Sequence, residues 1–317
     1  IVDDSDIDDE VRICIEYNIP LTSKRVDFII AGADNYGKDN IVIVELKQWQ
    51  KAEVVADDMH YCVRTYVANS DRIVCHPSYQ AYSYSCFLRN YSQSLTDEDI
   101  SLIPCAYLHN YQPEYRQTLS NPIYKEWTGL APFFKKNEVG AFSDFVKKYI
   151  TKKSSKGDLL YLIDHGRLRP TKALQDSLAS MVKGNKEFML LDEQAVCFDM
   201  CLKTMSQCLK DKKKRTIIIQ GGPGTGKSVL AVNLLMEYIN QSLNASYVTK
   251  NSAPREAFLR LLTKSDAKKL VNIKQLFRSP FNLSKCDING YDCLIVDEAH
   301  RLVKKMYGDW NGENQVK

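Results

Sequence analysis

Residues Gly221-Gly-Pro-Gly-Thr-Gly-Lys-Ser228 fit the pattern G-x-x-x-x-G-K-[ST] at every fixed position. They follow a short β-branched run at 215–220 (RTIIIQ) and precede an apolar run of helical periodicity at 227–240. This order of strand, glycine-rich turn and helix is typical of a phosphate-binding loop (P-loop), because glycine lets backbone N–H groups turn toward an anion at a helix N-terminus. The sequence therefore predicts a parallel α/β domain around a nucleotide-phosphate site.

Each residue of the P-loop is expected to contact the nucleotide. Lys227 would place its charge on the β/γ-phosphates, and Ser228 would offer its hydroxyl to Mg²⁺. The nucleotide is expected to be ATP, with GTP as the alternative. The predicted nucleotide-binding residues are Gly221, Gly222, Pro223, Gly224, Thr225, Gly226, Lys227 and Ser228.

A second acidic motif, Asp297-Glu-Ala-His300 (DEAH), ends the apolar run at 291–298. A carboxylate at the end of a buried strand can hold Mg²⁺, and a second one can position the attacking water. We assign Asp297 to the metal and Glu298 to the water. Other alternations of strand and helix in this half are predicted at 191–209 (helix), 246–250 (strand) and 254–262 (helix).

A DEAH box beside a P-loop resembles superfamily 1 and 2 helicases. Gln194 resembles the glutamine that recognises adenine in those enzymes, and Lys250, Asn251 and Arg255 lie in a segment that resembles their first nucleic-acid-contacting motif. An exposed helical glutamine and a polar loop are the alternative interpretations. Residues 185–317 as a whole resemble the Schlafen-type (group 3) DNA/RNA helicase domain of bacterial proteins. This implies an incomplete RecA-like lobe, ATP hydrolysis, and binding of DNA or RNA, including single strands.

The N-terminal half has a different pattern. Alternating or β-branched runs predict a three-stranded meander, followed by a helix, a strand and a helix. A charged stretch at 151–158 (TKKSSKGD) is the predicted linker. The expected domains are 1–150, a connecting region at 151–184, and 185–317. The predicted N-terminal elements are strands at 11–18, 24–31, 41–47 and 102–108, and helices at 77–95 and 140–150.

Three charged residues are expected to meet at one edge of this meander. Glu45 and Lys47 share one face of a strand because side chains alternate, and Asp27 on the preceding strand can reach the same edge. Two carboxylates can hold Mg²⁺ or Mn²⁺, and a lysine can stabilise the charge on a phosphodiester. A solvated ion pair is the alternative interpretation of Glu45-Leu-Lys47.

This arrangement resembles the PD-(D/E)xK nucleases, with Asp27 as the first acid and Glu45-Leu-Lys47 as the E-x-K motif. The proline that precedes the aspartate in that family is replaced by Val26. Gln80 and Tyr84 resemble the Q-x-x-x-Y motif of RecB-like nucleases, and their spacing places both on one helix face. The resemblance implies a mixed sheet and a catalytic set of Asp27, Glu45, Lys47, Gln80 and Tyr84, with Asp27 and Glu45 as metal ligands.

Several other residues receive weaker predictions. Glu16 is either a further acid near the metal or a surface residue. The histidines show no metal-ligand spacing and are expected to be structural or exposed. These histidines are His60, His76, His109 and His165.

Composition favours a protein with free thiols in a reducing cytoplasm. The chain of 317 residues has a formal net charge of +4, 44% hydrophobic residues and ten cysteines without C-x-x-C spacing. There is no apolar run long enough to span a membrane. The chain lacks an initial Met and stops soon after the DEAH box, so it is expected to be a piece of a longer protein. The first nuclease helix and the second helicase lobe, with its arginine finger, would lie outside it, and ATP turnover would be slow.

The sequence therefore predicts a metal-dependent nuclease joined to a helicase-like ATPase. Two alternatives remain. One is a nucleic-acid-binding module whose nuclease-like half is an inactive clamp, and the other is a P-loop signalling NTPase. The choice between DNA and RNA and the oligomeric state are not predicted.

Overall fold

The computed structural model describes residues 6–19, 22, 24–55, 59–166, 189–251, 276–280, 283, 287 and 289–302. The chain divides into two units. The first comprises Ile1–Pro170 and Leu191–Asp211, and the second comprises Thr171–Leu190 and Lys212–Lys317.

A five-stranded mixed sheet forms the centre of the first unit. The first three strands are antiparallel neighbours, as the predicted meander requires, and the last two continue the sheet in parallel with the third. The strand order is β1-β2-β3-β7-β8. The strands are β1 (Arg12–Asn18), β2 (Arg25–Ala33), β3 (Asp39–Lys47), β7 (Ser101–Leu108) and β8 (Phe133–Lys135).

Both faces of this sheet are buried, which explains the uninterrupted apolar run of β3. Ile41 and Ile43 pack into a hydrophobic cluster on one face, whereas Val42 and Val44 pack into another on the opposite face. A strand covered on both sides needs apolar residues at every position rather than at alternate ones. The sheet is therefore the middle layer of three.

Helices cover the two faces. The first cluster also contains Tyr84, Leu88 and Leu95, and the second contains Phe142 and Val146. The predicted helix at 77–95 is interrupted at Ser92, whose N–H caps the carbonyl of Leu88. The helices of these layers are α1 (Pro77–Tyr91), α2 (Gln93–Asp97), α5 (Val139–Tyr149) and α6 (Leu159–His165).

A smaller antiparallel sheet between β3 and α1 along the chain was not predicted. It packs with short helical segments around Trp49 and Tyr124. Its order is β4-β5-β6, formed by Glu53–Val54, Cys62–Val67 and Ser70–Cys75. The helical segments are Pro113–Tyr115, α3 (Arg116–Leu119), Pro122–Tyr124 and α4 (Lys125–Leu130).

Two segments pack differently from the predicted domain division. The predicted linker lies against β2, because Lys152 and Ala33 exchange backbone hydrogen bonds of 2.8 and 3.0 Å. The helix α7 (Glu193–Asp211), which the sequence groups with the P-loop half, belongs to the first unit. Its buried Asp199 accepts a hydrogen bond of 2.8 Å from the N–H of Tyr61, and Phe198 packs edge-on against the Tyr61 ring. Side-chain anchoring, rather than sequence proximity, decides where this helix packs.

In the second unit, α8 (Lys227–Asn240) packs against a parallel sheet of order β10-β9-β11. The strands are β9 (Ala245–Val248), β10 (Phe277–Arg278) and β11 (Cys293–Val296). Leu234 and Leu235 are among the buried residues of α8. The parallel pairing agrees with the predicted fold class.

The predicted strand at 215–220 is wrong. These residues have no regular secondary structure, and Ile218 is 78% exposed. A β-branched run forms a strand only where a neighbouring strand supplies hydrogen-bond partners, and no strand of the described residues pairs with it. The predicted helix at 254–262 lies outside the described residues. No helix in the described ranges is both long and apolar enough to cross a membrane.

Candidate functional sites

The first site lies where β2 begins and β3 ends. Phe28 pairs with Val44, so the antiparallel register continued by one residue sets Asp27 opposite Glu45. Asp27 Oδ2 accepts a hydrogen bond of 2.8 Å from the N–H of Leu46. Glu45 and Lys47 extend the row of Ile41 and Ile43 on the α1 face, while Leu46 is exposed. The structure thus brings the three predicted charged residues to one sheet edge.

Glu45 and Lys47 form a buried ion pair. Lys47 Nζ donates to Glu45 Oε1 at 2.6 Å, and Glu45 is only 3% exposed. Burial, opposed by Lys47 and supported by the Asp27 charge, raises the pKa of Glu45 to about 7. Burial would lower the pKa of Lys47, but the Glu45 carboxylate beside it raises the pKa above its ordinary value. The lysine therefore remains a cation at the sheet edge.

Helix α1 contributes the predicted Gln80 and Tyr84. Gln80 Nε2 donates to the Tyr84 hydroxyl at 3.1 Å, and Tyr84 is 2% exposed. Burial raises the pKa of the Tyr84 hydroxyl, as do the nearby charges of Asp192 and Glu45. The Gln80–Tyr84 pair therefore lies on one helix face, beside the acidic edge of the sheet.

His76 fixes the start of this helix. Its Nδ1 accepts a hydrogen bond of 3.2 Å from the N–H of Ser78, and its Nε2 lies 3.1 Å from the carbonyl oxygen of Leu119. This pattern defines a neutral imidazole that donates from Nε2. Burial lowers the pKa of His76 to about 4. His76 is thus a structural cap, as the sequence allowed, and His60, His109 and His165 are exposed.

Sequence reasoning missed Asp192, which belongs to the same cluster. Tyr84 donates from its hydroxyl to Asp192 Oδ2 at 2.8 Å, and Lys24 Nζ lies 3.0 Å from the same oxygen. The Asp192 charge also acts on Glu45 and Lys47. A hint lay in the LLDEQ sequence before α7, but nothing in the sequence placed that segment beside a strand more than a hundred residues earlier.

Glu16 does not join this cluster. It pairs with Arg25 at 2.6 Å, and its side chain is 64% exposed. A pair open to water contributes little to stability or to metal binding. The structure therefore favours the surface alternative for Glu16.

Two carboxylates of this cluster, Asp27 and Glu45, are the candidates for holding a cation. Within the described ranges, no three His, Cys, Asp or Glu side chains are placed to hold one metal ion directly. Glu45 Oε2 is nevertheless buried, and no described residue gives it a hydrogen bond. Mg²⁺ keeps several waters and commonly uses one or two carboxylates. The oxygen donors of Asp27 and Glu45 fit such an ion.

The second site is the P-loop with the end of β11. Gly224 and Gly226 adopt φ values of 73° and 78°, a left-handed conformation that glycine reaches without strain. Lys227 Nζ donates to the carbonyl oxygens of Gly221 and Gly222 at 2.9 and 2.7 Å. Thr225 Oγ1 donates to Gly222 at 2.9 Å. These contacts hold the lysine charge over the loop at the start of α8.

Ser228 and Asp297 meet at this site as predicted. Ser228 Oγ donates to Asp297 Oδ2 at 2.8 Å, and the hydroxyl of Tyr247 on β9 donates to the same oxygen. Glu298 follows directly, with a left-handed φ of 55°, and its carboxylate lies 3.3 Å from His300 Nε2. Tyr247 is a further residue that sequence reasoning missed, although its position on the adjacent parallel strand accounts for the contact.

The remaining predicted contact residues are Gln194, Lys250, Asn251 and Arg255, and their places in the chain differ. Gln194 lies in the first unit, where its Oε1 accepts from the N–H of Leu191 at 3.0 Å, as in a helix capping box. Lys250 donates to the carbonyl of Arg301 at 3.3 Å, and the N–H of Asn251 donates to Thr249 Oγ1. Arg255 lies outside the described residues. The adenine and nucleic-acid roles of these residues stay predictions.

Comparison with known protein families gives a match for one part of the chain. Residues 214–317 match the family model of the Schlafen group 3, DNA/RNA helicase domain. No curated protein and no solved structure matches the chain. The matched segment contains both the P-loop and the DEAH motif, and it begins after α7. The C-terminal third of the chain is therefore similar to a Schlafen group 3 helicase domain.

Proposed function

We propose that this chain is a nucleic-acid-processing hydrolase that combines a metal-dependent nuclease with a helicase-like ATPase. The proposal rests above all on the similarity of residues 214–317 to a helicase domain, in a segment where Ser228 and Asp297 meet at 2.8 Å. DNA or RNA, including single strands, is the proposed partner. Lys250, Asn251 and Arg255 are the proposed contacts to it, and Gln194 is the proposed contact to adenine.

In the ATPase site, the backbone of the P-loop would cradle the phosphates while Lys227 neutralises the β/γ oxygens. Ser228 and Asp297 are the proposed magnesium residues. Magnesium would supply positive charge that stabilises the transferring phosphoryl group. Glu298 would orient the attacking water, and Tyr247 would orient the Asp297 carboxylate through its hydroxyl.

In the nuclease site, Asp27 and Glu45 are the proposed ligands of Mg²⁺ or Mn²⁺. The ion would lower the pKa of a bound water and so supply the nucleophile. Lys47, held by Glu45, would stabilise the negative charge that develops on the phosphodiester. Gln80 and Tyr84 would position the substrate or the nucleophile from α1.

A cleavage assay with the purified 317-residue chain tests the nuclease assignment. We expect Mg²⁺- or Mn²⁺-dependent cutting of DNA or RNA, with a loss of about 100-fold or more in Asp27→Ala or Lys47→Ala, because each removes a metal ligand or a charge-stabilising group. Glu16→Gln is the matched control, since Glu16 is an exposed acid of the same sheet. If the parent and all variants cut nucleic acid equally, the nuclease assignment is rejected. If the chain binds nucleic acid without cutting it, the inactive clamp is favoured.

Nucleotide binding tests the second site. Lys227→Ala should abolish ATP binding in a fluorescent-nucleotide titration, because the β/γ-phosphates lose their cationic partner. Glu298→Gln should bind ATP normally but lose phosphate release, since only the water-orienting carboxylate changes. Lys214→Ala is the control for the loss of one positive charge, because Lys214 is an exposed lysine nearby in the sequence. Nucleotide binding without any affinity for nucleic acid at low salt would favour a signalling NTPase instead.

A further inference from the structure

Two carboxylates beside α1, Glu45 and Asp192, share an arrangement that Asp39 with Lys156 also shows elsewhere in the first unit. Glu45 gives one oxygen to Lys47, at 2.6 Å, and its other oxygen is buried and has no hydrogen-bond partner among the described residues. Asp192 gives one oxygen to Lys24 and the Tyr84 hydroxyl, at 3.0 and 2.8 Å, and its other oxygen is buried with no partner in the part of the chain that the structure describes. In each carboxylate a lysine neutralises the charge at one oxygen, and the second oxygen can still accept a hydrogen bond.

Such free oxygens are costly in a folded protein. A buried acceptor without a hydrogen bond loses its hydration and gains nothing in return, so each case calls for a ligand or an ordered water. Glu45 is 97% buried, from an exposure of 3%, which makes its free oxygen a strong indication of a ligand. Asp192 lies beside the site because it accepts a hydrogen bond from Tyr84, and both Asp27 and Asp192 act electrostatically on Glu45.

Asp192 is brought to this cluster by α7, not by the sheet. It precedes the helix with a φ of 41°, a left-handed conformation that aspartate tolerates better than most residues. Glu193 pairs with Lys24, and the Asp192 carbonyl accepts from Cys75 Sγ at 3.2 Å. These contacts fix the turn that presents the Asp192 carboxylate.

We propose that Asp192 is a third acidic residue of the nuclease-like site, whose free Oδ1 binds a divalent cation of the Mg²⁺ class through a water coordinated to that ion. The inference rests on the proposed nuclease function and extends its metal-binding residues. The contact is proposed through water because, among the described residues, no three acids are placed to hold one ion directly. A hydrated ion would offer its water protons to the buried oxygen. The segment that leads toward the P-loop would thus contribute to the metal site of the first unit.

Calorimetric titration of the full chain with Mn²⁺, without nucleotide and in an Asp297→Asn background, tests this. Asp192→Asn keeps a carbonyl acceptor for Tyr84 but removes the charge, and it should weaken Mn²⁺ binding by about 10-fold or more, as losses around a metal site typically do. Glu193→Gln is the matched control. It changes the neighbouring acid, which pairs with the same Lys24, and should weaken Mn²⁺ binding far less than Asp192→Asn.

A variant that should strengthen Mn²⁺ binding distinguishes a role of Asp192 in metal binding from a purely structural role. Lys24→Gln removes a cation that lies 3.0 Å from Asp192, so it should strengthen Mn²⁺ binding. If Asp192 only anchored α7, loosening that anchor would not raise the affinity. Circular dichroism and thermal unfolding would verify that each variant is folded. If Asp192→Asn does not fold, the Mn²⁺ affinity of Lys24→Gln still tests the proposal.

The outcomes separate this inference from the nuclease proposal. Parent-like binding in Asp192→Asn, or weaker binding in Lys24→Gln, overturns the role of Asp192 while loss of binding in Asp27→Ala and Glu45→Gln still supports the nuclease site. An absence of Mn²⁺ binding in the parent removes both. Weaker binding in Asp192→Asn with stronger binding in Lys24→Gln supports both.

Discussion

At the scale of single residues, buried polar groups carry the information that the sequence pattern lacks. His76 is fully buried between the helix that it caps and the ring of Tyr124, whose centroid lies 4.5 Å away. Its spacing from other histidines predicted only that it binds no metal. Its two hydrogen bonds require one tautomer, so its protonation and the stability of the first unit are coupled.

The stability contribution of His76 should disappear in acid. Burial lowers its pKa from 6.5 to about 4, so the unfolded chain takes up the proton first as pH falls. The contribution is complete above pH 6.5 and is lost toward pH 4, by about 3 kcal/mol for a shift of this size. His76→Asn keeps a capping acceptor for Ser78 but does not titrate.

Urea unfolding of parent and His76→Asn from pH 7 to pH 4 measures this effect. The difference in unfolding free energy between the two proteins should shift in favour of the variant as pH falls, while contributions from all other acids cancel. A difference that stays constant over this range would mean that the imidazole is not held neutral.

At the scale of elements, the sequence predicted those parts whose patterns are set by burial. The apolar runs of β2 and β3 could be recognised because these strands are covered on both faces. The alternation of side chains along a strand then placed Glu45 and Lys47 on one face. The isoleucines of 217–219 carried the same signal but remain exposed, because a strand also needs a pairing partner. Asp192 was missed for a related reason: its place depends on long-range contacts with Lys24 and Tyr84.

The contact between β2 and residues 151–158 should depend on Gly32. A Cβ at Gly32 would lie 2.5 Å from the Lys152 carbonyl oxygen, which is backbone and cannot turn away. Gly32→Ala should therefore destabilise the first unit by about 1–3 kcal/mol, as overpacking commonly does. Gly129→Ala, which meets nothing within 4 Å, is the control and should be neutral or slightly stabilising because it lies in α4.

Thermal unfolding monitored by circular dichroism compares these two alanine variants. A parent-like melting temperature for Gly32→Ala would indicate that residues 151–158 do not rest on β2. That result would support the prediction, made from the charged sequence, that these residues form a linker.

At the scale of the whole molecule, the proposed catalytic and metal-binding residues of each active site lie within one unit, whereas Gln194, the proposed contact to adenine, belongs to the first. Asp27, Glu45 and Lys47 belong to the first, and Lys227 and Asp297 to the second. Placing α7 in the first unit puts all of the acidic cluster, including Asp192, on one side of this division. The chemical step proposed for one site therefore uses no catalytic or metal-binding residue of the other site.

We therefore expect the two proposed activities to separate by mutation. Lys227→Ala should lose ATP binding yet keep basal, Mn²⁺-dependent cleavage measured without nucleotide, because every proposed nuclease residue remains in place. Asp27→Ala should lose cleavage and bind ATP as the parent does. Gel-based cleavage and nucleotide titration on the same preparations would measure both. Loss of nucleotide-free cleavage in a folded Lys227→Ala variant would contradict this independence, since it would mean that the P-loop lysine supports chemistry in the first unit.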